Sequence, residues 1–373
     1  MEGVERAPRL SIGSSDIVPL ACLIATWIAM LAWLPDEALR GDILRFQEIV
    51  HAPGRLWSDV PVEYPPIETL VILLVGHGSV TAIAVQVAFV NAIATLATWW
   101  VLRIGWSPNV GRWFLWFALP LQVFMPFRLD MLSVLLIVAG VMLAARRRET
   151  AGGVAAAAGV LFKFWPLAIV PIFAVRRQRR ALLVAALITV VGAASWVSIF
   201  GTDAARQVLS YRGATGWHVE SIFGMATYLA SSSDPRIDAG ASRIGTMAPW
   251  QVGVLRALTV ALITVAWVRA RSRRGDAAGG PALAAIATLL LLSPVASPQY
   301  VSWLLPWAAI TSTERRRLDV RILTIGAGAF AAAVFSAYWG NHDLFILEVL
   351  SAGRALCVLG LAVVGFTHQP DRT

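Results

Sequence analysis

Charge is scarce in this chain. Only 14% of its 373 residues are charged, against roughly 25% in soluble globular proteins. Lysine is all but missing: Lys163 is the one lysine among 31 basic residues, and the rest are arginine. Cysteine is almost absent as well. Cys22 and Cys357 both lie inside apolar runs, which argues against a disulfide framework or a cysteine metal site. The five histidines are scattered without the spacing of a metal site. There is no Gly-rich phosphate loop, no Ser-His-Asp set and no nucleotide fingerprint, which argues against ATP-driven transport and soluble nucleotide-sugar chemistry. No polar stretch is long enough to fold alone, and there is no clear internal repeat or low-complexity linker.

What the chain does have is apolar sequence, 58% of the total, in long runs instead of alternation. That is the pattern of bilayer spans. The net charge of +9 therefore does not point to nucleic acid. The arginines fall in short clusters between apolar runs, as positive-inside topology requires, and no soluble basic face is left to bind a nucleic acid. The clusters are Arg103 with Arg112, 146–148, 176–180, 269–274 and 315–321. If all are cytoplasmic, an even number of crossings separates each neighbouring pair.

The first run, 17–34, lacks a small-residue cleavage site before Pro35-Asp36-Glu37 and reads as a retained span. An acid-rich stretch, 35–65, follows and belongs outside. The run 67–75 is too short to span and reads as a re-entrant or interfacial helix; 80–102 returns. Runs 113–127 and 131–145 form a hairpin turning at Arg128-Leu129-Asp130. The stretch 154–175 is about one span long yet must cross twice, with Lys163 and Pro166 at its midpoint. Next come 181–200, a polar region 201–249 with a small helix near 220–229, then 250–268, 281–292, 301–310, 322–339 and 344–366. The expectation is an all-α polytopic membrane protein of about twelve transmembrane segments. It forms a single integral domain over 1–373, with external loops at 35–79 and 201–249 and both termini in the cytoplasm.

This topology sorts the unusual polar residues onto one side. Asp42, Glu63, Arg128, Asp130, Lys163, Arg212, His218, Glu220, Gln299 and Asp343 all fall at or above the outer face, from separate loops. An ionisable residue at the membrane is a functional candidate by default. Each also has an ordinary reading: Lys163 snorkelling to an interface, Arg128 with Asp130 as a topogenic turn, Asp42 and Glu220 as solvated loop acids, His218 as a bystander.

Three stretches carry a resemblance when taken together. They are Gly41-Asp42 followed by Val62-Glu63-Tyr64-Pro65-Pro66; Phe162-Lys163-Phe164-Trp165-Pro166-Leu167; and Leu292-Ser293-Pro294 running into Gln299-Tyr300 and Trp303-Leu304-Leu305-Pro306. Arg128-x-Asp130 and Trp217-His218-Val219-Glu220-Ser221 fit the same picture. The chain resembles the GT-C glycosyltransferases that use polyprenyl-phosphate sugars, most closely the mannosyltransferase-like proteins of glycosyltransferase family 87. Arg45-Phe46 stands where that pattern has a tyrosine after the aspartate.

The resemblance implies a GT-C-like bundle in the plasma membrane with its active site on the external side. It implies an inverting sugar transfer, with mannose as the sugar, from a polyprenyl-phosphate donor to a glycan or glycolipid acceptor, with no cofactor or metal. Asp42 is the implied general base. Arg128, Lys163 and Arg212 are implied to meet the departing phosphate. Glu63, Tyr64, Asp130, His218, Glu220, Gln299 and Tyr300 complete the implied substrate site. Two other functions remain open on sequence: a transporter or lipid flippase lined by the same charges, and an inactive scaffold for envelope assembly. A transporter more often keeps its ionisable groups at the midplane of a repeated architecture.

The topology is directly testable. In a background without Cys22 and Cys357, a cysteine at position 215 is expected to react with an impermeant maleimide in intact cells. One at position 147 is expected to react only after the membrane is opened. The opposite pattern would overturn the arrangement.

Overall fold

A computed structural model describes residues 13–32, 41–210, 213–231, 234–238, 240–272, 276–314, 317–339 and 344–367. The chain is almost entirely helical. In order, its helices are α1 (Ser14–Ala32), α2 (Gly41–His51), α3 (Pro66–Val75), α4 (Val80–Gly105), α5 (Pro108–Ala118), α6 (Asp130–Ala145), α7 (Glu149–Phe162), α8 (Ile172–Val175), α9 (Arg179–Phe200), α10 (Thr202–Leu209), α11 (Ile222–Ser231), α12 (Pro249–Ser272), α13 (Gly280–Leu291), α14 (Leu305–Glu314), α15 (Leu318–Trp339) and α16 (Leu344–Thr367). Among the described residues six helices, α1, α4, α9, α12, α15 and α16, are long and apolar enough to cross a membrane. The others are shorter. The 16 residues of α6 reach about 24 Å at 1.5 Å per residue, short of a hydrocarbon core of about 30 Å.

Local chemistry sets the boundaries. Proline opens α3 and α5 at their first positions, where its missing N–H is no loss. Ser79 and Ser107 cap α4 and α5 by accepting from Ala82 N and Val110 N. Lys163 ends α7 in an extended conformation. Pro166 follows inside a 3₁₀ turn, Trp165–Ala168, so the 154–175 stretch splits at the expected midpoint.

The helices pack along small residues. A Cβ on Gly140 would stand 2.9 Å from Gly152 O, and one on Gly152 2.7 Å from Gly140 O. On the other side of α7 a Cβ on Gly153 would meet Ala181 O of α9 at 2.6 Å. Adjacent glycines thus bring α6 and α9 onto α7 at backbone contact, the close approach that small residues permit inside membranes.

The arginine clusters gather at one end of the bundle. Arg103 and Arg112 both meet the buried Asp16. Arg146 donates to Ile104 O at 2.6 Å, and Glu149 accepts from Arg180 N at 2.9 Å. Arg176 and the Trp106 indole share Asp276, and Arg321 lies over the Trp113 ring at 4.0 Å. We call this the arginine-rich end and its opposite the head end.

Two head-end features were not anticipated. The first is α2, an amphipathic helix burying Ile43, Phe46 and Ile49 inside a stretch expected to be a polar loop. The second is a three-stranded antiparallel sheet in the second loop, of β1 (Trp217–His218), β2 (Arg236–Asp238) and β3 (Ala241–Ile244), in the order β1-β3-β2. Strands of two to four residues are too short to show a period. The helix expected near 220–229 is α11.

The α6–α7 contact gives a fold prediction. Gly152→Val places a branched side chain against the α6 backbone. It is expected to lower the thermal midpoint of the purified protein by several degrees, whereas Gly201→Ala, with open space around its Cβ, has only its positive φ of 83° to strain. A Gly152→Val midpoint equal to the parent's would show that α6 and α7 do not touch there.

Candidate functional site

The head end holds a row of ionisable side chains, most of them buried. Lys163 is at its centre. Its Nζ lies 2.9 Å from Asp130 Oδ1 and 3.3 Å from Glu68 Oε1, and both acids are buried. Asp130 opens α6, and its Oδ1 also accepts from the Trp303 indole at 2.8 Å. Trp303 stacks on Tyr300 at 4.2 Å and on Trp165 at 5.2 Å between centroids. The Trp165 indole in turn donates to Ser133 Oγ at 2.9 Å. The Lys163-Phe164-Trp165-Pro166 and Gln299-Tyr300 motifs therefore meet around one carboxylate. The Lys163 ammonium is held between these two acids.

Asp42, in the first turn of α2, forms an ion pair with Arg128. Arg128 lies between the two 3₁₀ turns that end the α5 rod and the start of α6. It is also within electrostatic reach of Asp130, Tyr300 and Glu220. A carboxylate from the first loop is thus set beside a guanidinium that belongs to the Lys163 neighbourhood.

Arg45 and Glu63 form a separate pair, 3.0 Å from Nη2 to Oε2, with Glu48 on Arg45 Nη1 at 3.0 Å. The Arg45-Phe46 departure from the family pattern supplies this pair and the edge-on contact of Phe46 with Tyr64, at 5.7 Å. The Tyr64 carbonyl accepts from the Trp57 indole at 3.2 Å and from Thr69 Oγ1 at 3.1 Å, which fixes how α3 starts. The burial of Arg45 is more than offset by Glu63 and Glu48, and its pKa is raised.

His218 and Glu220 come from the second loop. The His218 imidazole is buried and held neutral, with its pKa pushed down to about 3 by burial and by the nearby Arg243 and Arg354 charges. Its Nδ1 has no hydrogen-bond partner. Burial pushes Glu220 up to about 7, against the pull of Arg354 and Arg128. Gln299 Oε1 accepts from Ser297 Oγ. Arg212 and Asp343 lie outside the described residues. Among those described, no three His, Cys, Asp or Glu side chains are grouped to hold a metal ion.

The structure therefore joins Asp42, Arg128, Asp130, Lys163, Glu220 and Tyr300, while Glu63 pairs with Arg45 and lies within electrostatic reach of Glu68. Sequence reasoning missed two charged members. Glu68 was passed over as part of the apolar run 67–75, although an acid inside such a run is itself the signal. Arg354 was passed over inside 344–366 for the same reason.

Comparison with known proteins adds a family. The model of glycosyltransferase family 87 matches residues 63–298. Crystal structures of ArnT from Cupriavidus metallidurans are similar at low identity. The apo form is 14% identical with a TM-score of 0.47. The form bound to undecaprenyl phosphate is 15% identical with a TM-score of 0.44. Each likeness covers 94% of this chain and 76% of that one. No curated protein is matched.

The Lys163 cluster makes a graded prediction. Asp130→Asn removes a charge but keeps an acceptor for the Trp303 indole. Asp130→Ala removes both and leaves a buried donor unpaired, which costs about 1–3 kcal/mol more. The alanine variant is expected to melt clearly below the asparagine variant in detergent. Equal midpoints would mean that the indole bond does not matter.

Proposed function

Because the chain belongs to glycosyltransferase family 87, we propose that it moves a mannosyl group from a polyprenyl-phosphate donor to a glycan or glycolipid acceptor at the outer face of the plasma membrane. The chain is a multi-pass membrane glycosyltransferase. The donor, the sugar, the sidedness and the residue roles are the proposal. The observation that carries them is the Asp42–Arg128 pair, which sets a carboxylate beside a cation at the head of an apolar bundle. A lipid-borne phosphate whose tail lies in the bilayer would present its sugar there.

In the proposed step an acceptor hydroxyl attacks the anomeric carbon from the face opposite the phosphate. Asp42 takes the hydroxyl proton as the new C–O bond forms. The anomeric carbon–oxygen bond to phosphate breaks, and polyprenyl phosphate leaves with the electron pair. Arg128 stabilises the charge that develops on it. The contact with Asp42 uses one Nη, and a guanidinium has five donors in a planar fork, so it can hold a carboxylate and a phosphate together. Lys163 acts on the phosphate through its field and by fixing Asp130 and Glu68. Tyr300, Gln299, His218 and Glu220 on one side, and Glu63 and Tyr64 on the other, are the proposed walls for the two substrates. The whole chain, 1–373, is proposed to act as one membrane domain.

Asp42→Asn separates the roles. Loss of a general base lowers turnover by about 10²–10⁴-fold. Arg128, released from its partner, should bind donor at least as well as in the parent. The measurement is transfer of radiolabelled mannose from polyprenyl-phosphate mannose to a membrane extract, with donor binding measured alongside. Turnover within a few-fold of the parent would remove Asp42 from the role.

A further inference from the structure

We propose that Arg354, near the middle of α16, is a positioning residue for the transfer reaction. It clamps the second loop to the 293–299 loop and so fixes the wall of a cavity that adjoins the Lys163 cluster. Nothing in the family match, which ends at residue 298, covers it.

An arginine inside an apolar helix is costly unless it is fully engaged. Arg354 is 5% exposed, and its side-chain bonds all leave its own helix. Nη1 donates to Glu220 Oε2 at 3.2 Å, and Nη2 to Glu220 O at 2.8 Å and Ala296 O at 2.9 Å. One planar group thus binds two loops that are far apart in sequence. A backbone bond from His218 N to Pro294 O, 3.2 Å, ties the same loops. Of the buried polar side chains on this face of α16, Glu348 and Ser351 have no hydrogen-bond partner. Arg354 is therefore the polar link between that face and the loops among the described residues.

The pair borders a small, half-open cavity. Glu220, Arg354, Ser297 and Tyr300 form its polar side, and Leu291 and Val358 are among its apolar walls. Tyr300 stacks on Trp303, whose indole is bonded to Asp130. Glu220 and Tyr300 are both within electrostatic reach of Arg128. Moving either loop therefore moves groups whose charge or dipole acts on the proposed phosphate cation, although Arg354 touches none of the reacting atoms. Lysine would keep the charge but not the fork that reaches three acceptors.

The test uses the full chain in nanodiscs, as parent, Arg354→Lys, Arg354→Gln and the double variant Arg354→Gln with Glu220→Gln. The double variant removes both buried charges, so it keeps its fold if the single variant fails through an unpaired carboxylate. Hydrogen exchange is followed in 217–221, 293–299 and 140–160, beside kinetics with polyprenyl-phosphate mannose. In the double variant, exchange is expected to rise at least about tenfold in both loops and stay unchanged in 140–160. In Arg354→Gln, which leaves the Glu220 side chain in place, apparent KM should rise at least about tenfold, with kcat far less affected. Arg354→Lys should recover part of both effects. Unchanged loop exchange would overturn the proposal, as would an equal rise in all three segments, or loosened loops with parental KM and kcat. The kinetic arm alone rests on the donor named above. If the parent shows no turnover with it, that donor is wrong, and loop exchange by itself decides the clamp.

Discussion

Everything at the head end depends on neutralising ionised groups where water is scarce. A lone ammonium at that depth costs several kcal/mol, and a lone carboxylate no less. Lys163 answers this by sitting between Asp130 and Glu68, and Asp130 is further satisfied by the Trp303 indole. Burial favours the protonated form of Glu68, whose pKa is pushed up to about 8, so Lys163 is balanced by Asp130 and Arg128 by Asp42. This explains why a chain otherwise built with arginine carries one lysine here. Two carboxylates approaching from α3 and α6 suit a point charge better than a planar fork.

The same constraint shapes the backbone. Lys163, Arg128 and Asp130 reach into the bundle where regular helices stop and irregular backbone can line a polar recess, whereas Arg354 does so from within α16 and is held by two loops. The breaks coincide with the cluster: α7 ends at Lys163, the α5 rod passes through two 3₁₀ turns before Arg128, and another 3₁₀ turn, Pro298–Trp303, carries Tyr300 and Trp303. Proline lies in each of these turns, and it removes the N–H that a helix would otherwise have to satisfy. The short helices are the consequence. Length given up at the head end is what opens a recess for polar chemistry, and the backbone-close packing of α6, α7 and α9 offsets the lost contact.

Much of this was legible in the sequence because bilayer spans are written in runs, and a run survives any local irregularity. The boundaries of α4, α6, α9, α12 and α16 fall within a few residues of those runs. The midpoint break at Lys163 was readable from one lysine followed by a Trp-Pro step. The motifs also brought Arg128, Asp130, Lys163 and Tyr300 into one expected site. What sequence could not give was pairing. Nothing in the order of residues says that Arg45 takes Glu63, or that Lys163 takes Asp130 and Glu68, since partners on separate helices are set by packing. Glu68 stands alone as a charge in its apolar run, and Arg354 shares its run only with Glu348; periodicity and run length carry no weight for such isolated charges. The small sheet was beyond reach, because strands of two to four residues hold at most two cycles of the alternation that marks a strand.

The family match also divides the site in an informative way. Residues 63–298 contain Glu68, Arg128, Asp130, Lys163 and Glu220, which is the charge framework. Asp42, Arg45, Gln299, Tyr300, Trp303 and Arg354 lie outside that interval. In the proposed reaction this framework holds the donor phosphate, a requirement common to any phosphate-bearing donor. On that proposal the flanking residues supply what stands opposite the anion: a carboxylate on α2, an aromatic stack after the 293–299 loop, and a guanidinium on α16 between two loops. Specificity for an acceptor needs surfaces that differ between enzymes built on one donor chemistry. Three ion pairs, Arg45 with Glu63, Arg354 with Glu220 and Asp42 with Arg128, each bind one flanking residue to one residue inside the interval, and the Trp303 indole binds Asp130 in the same way. A change in the flank therefore reaches the charge framework as well as the wall beside it.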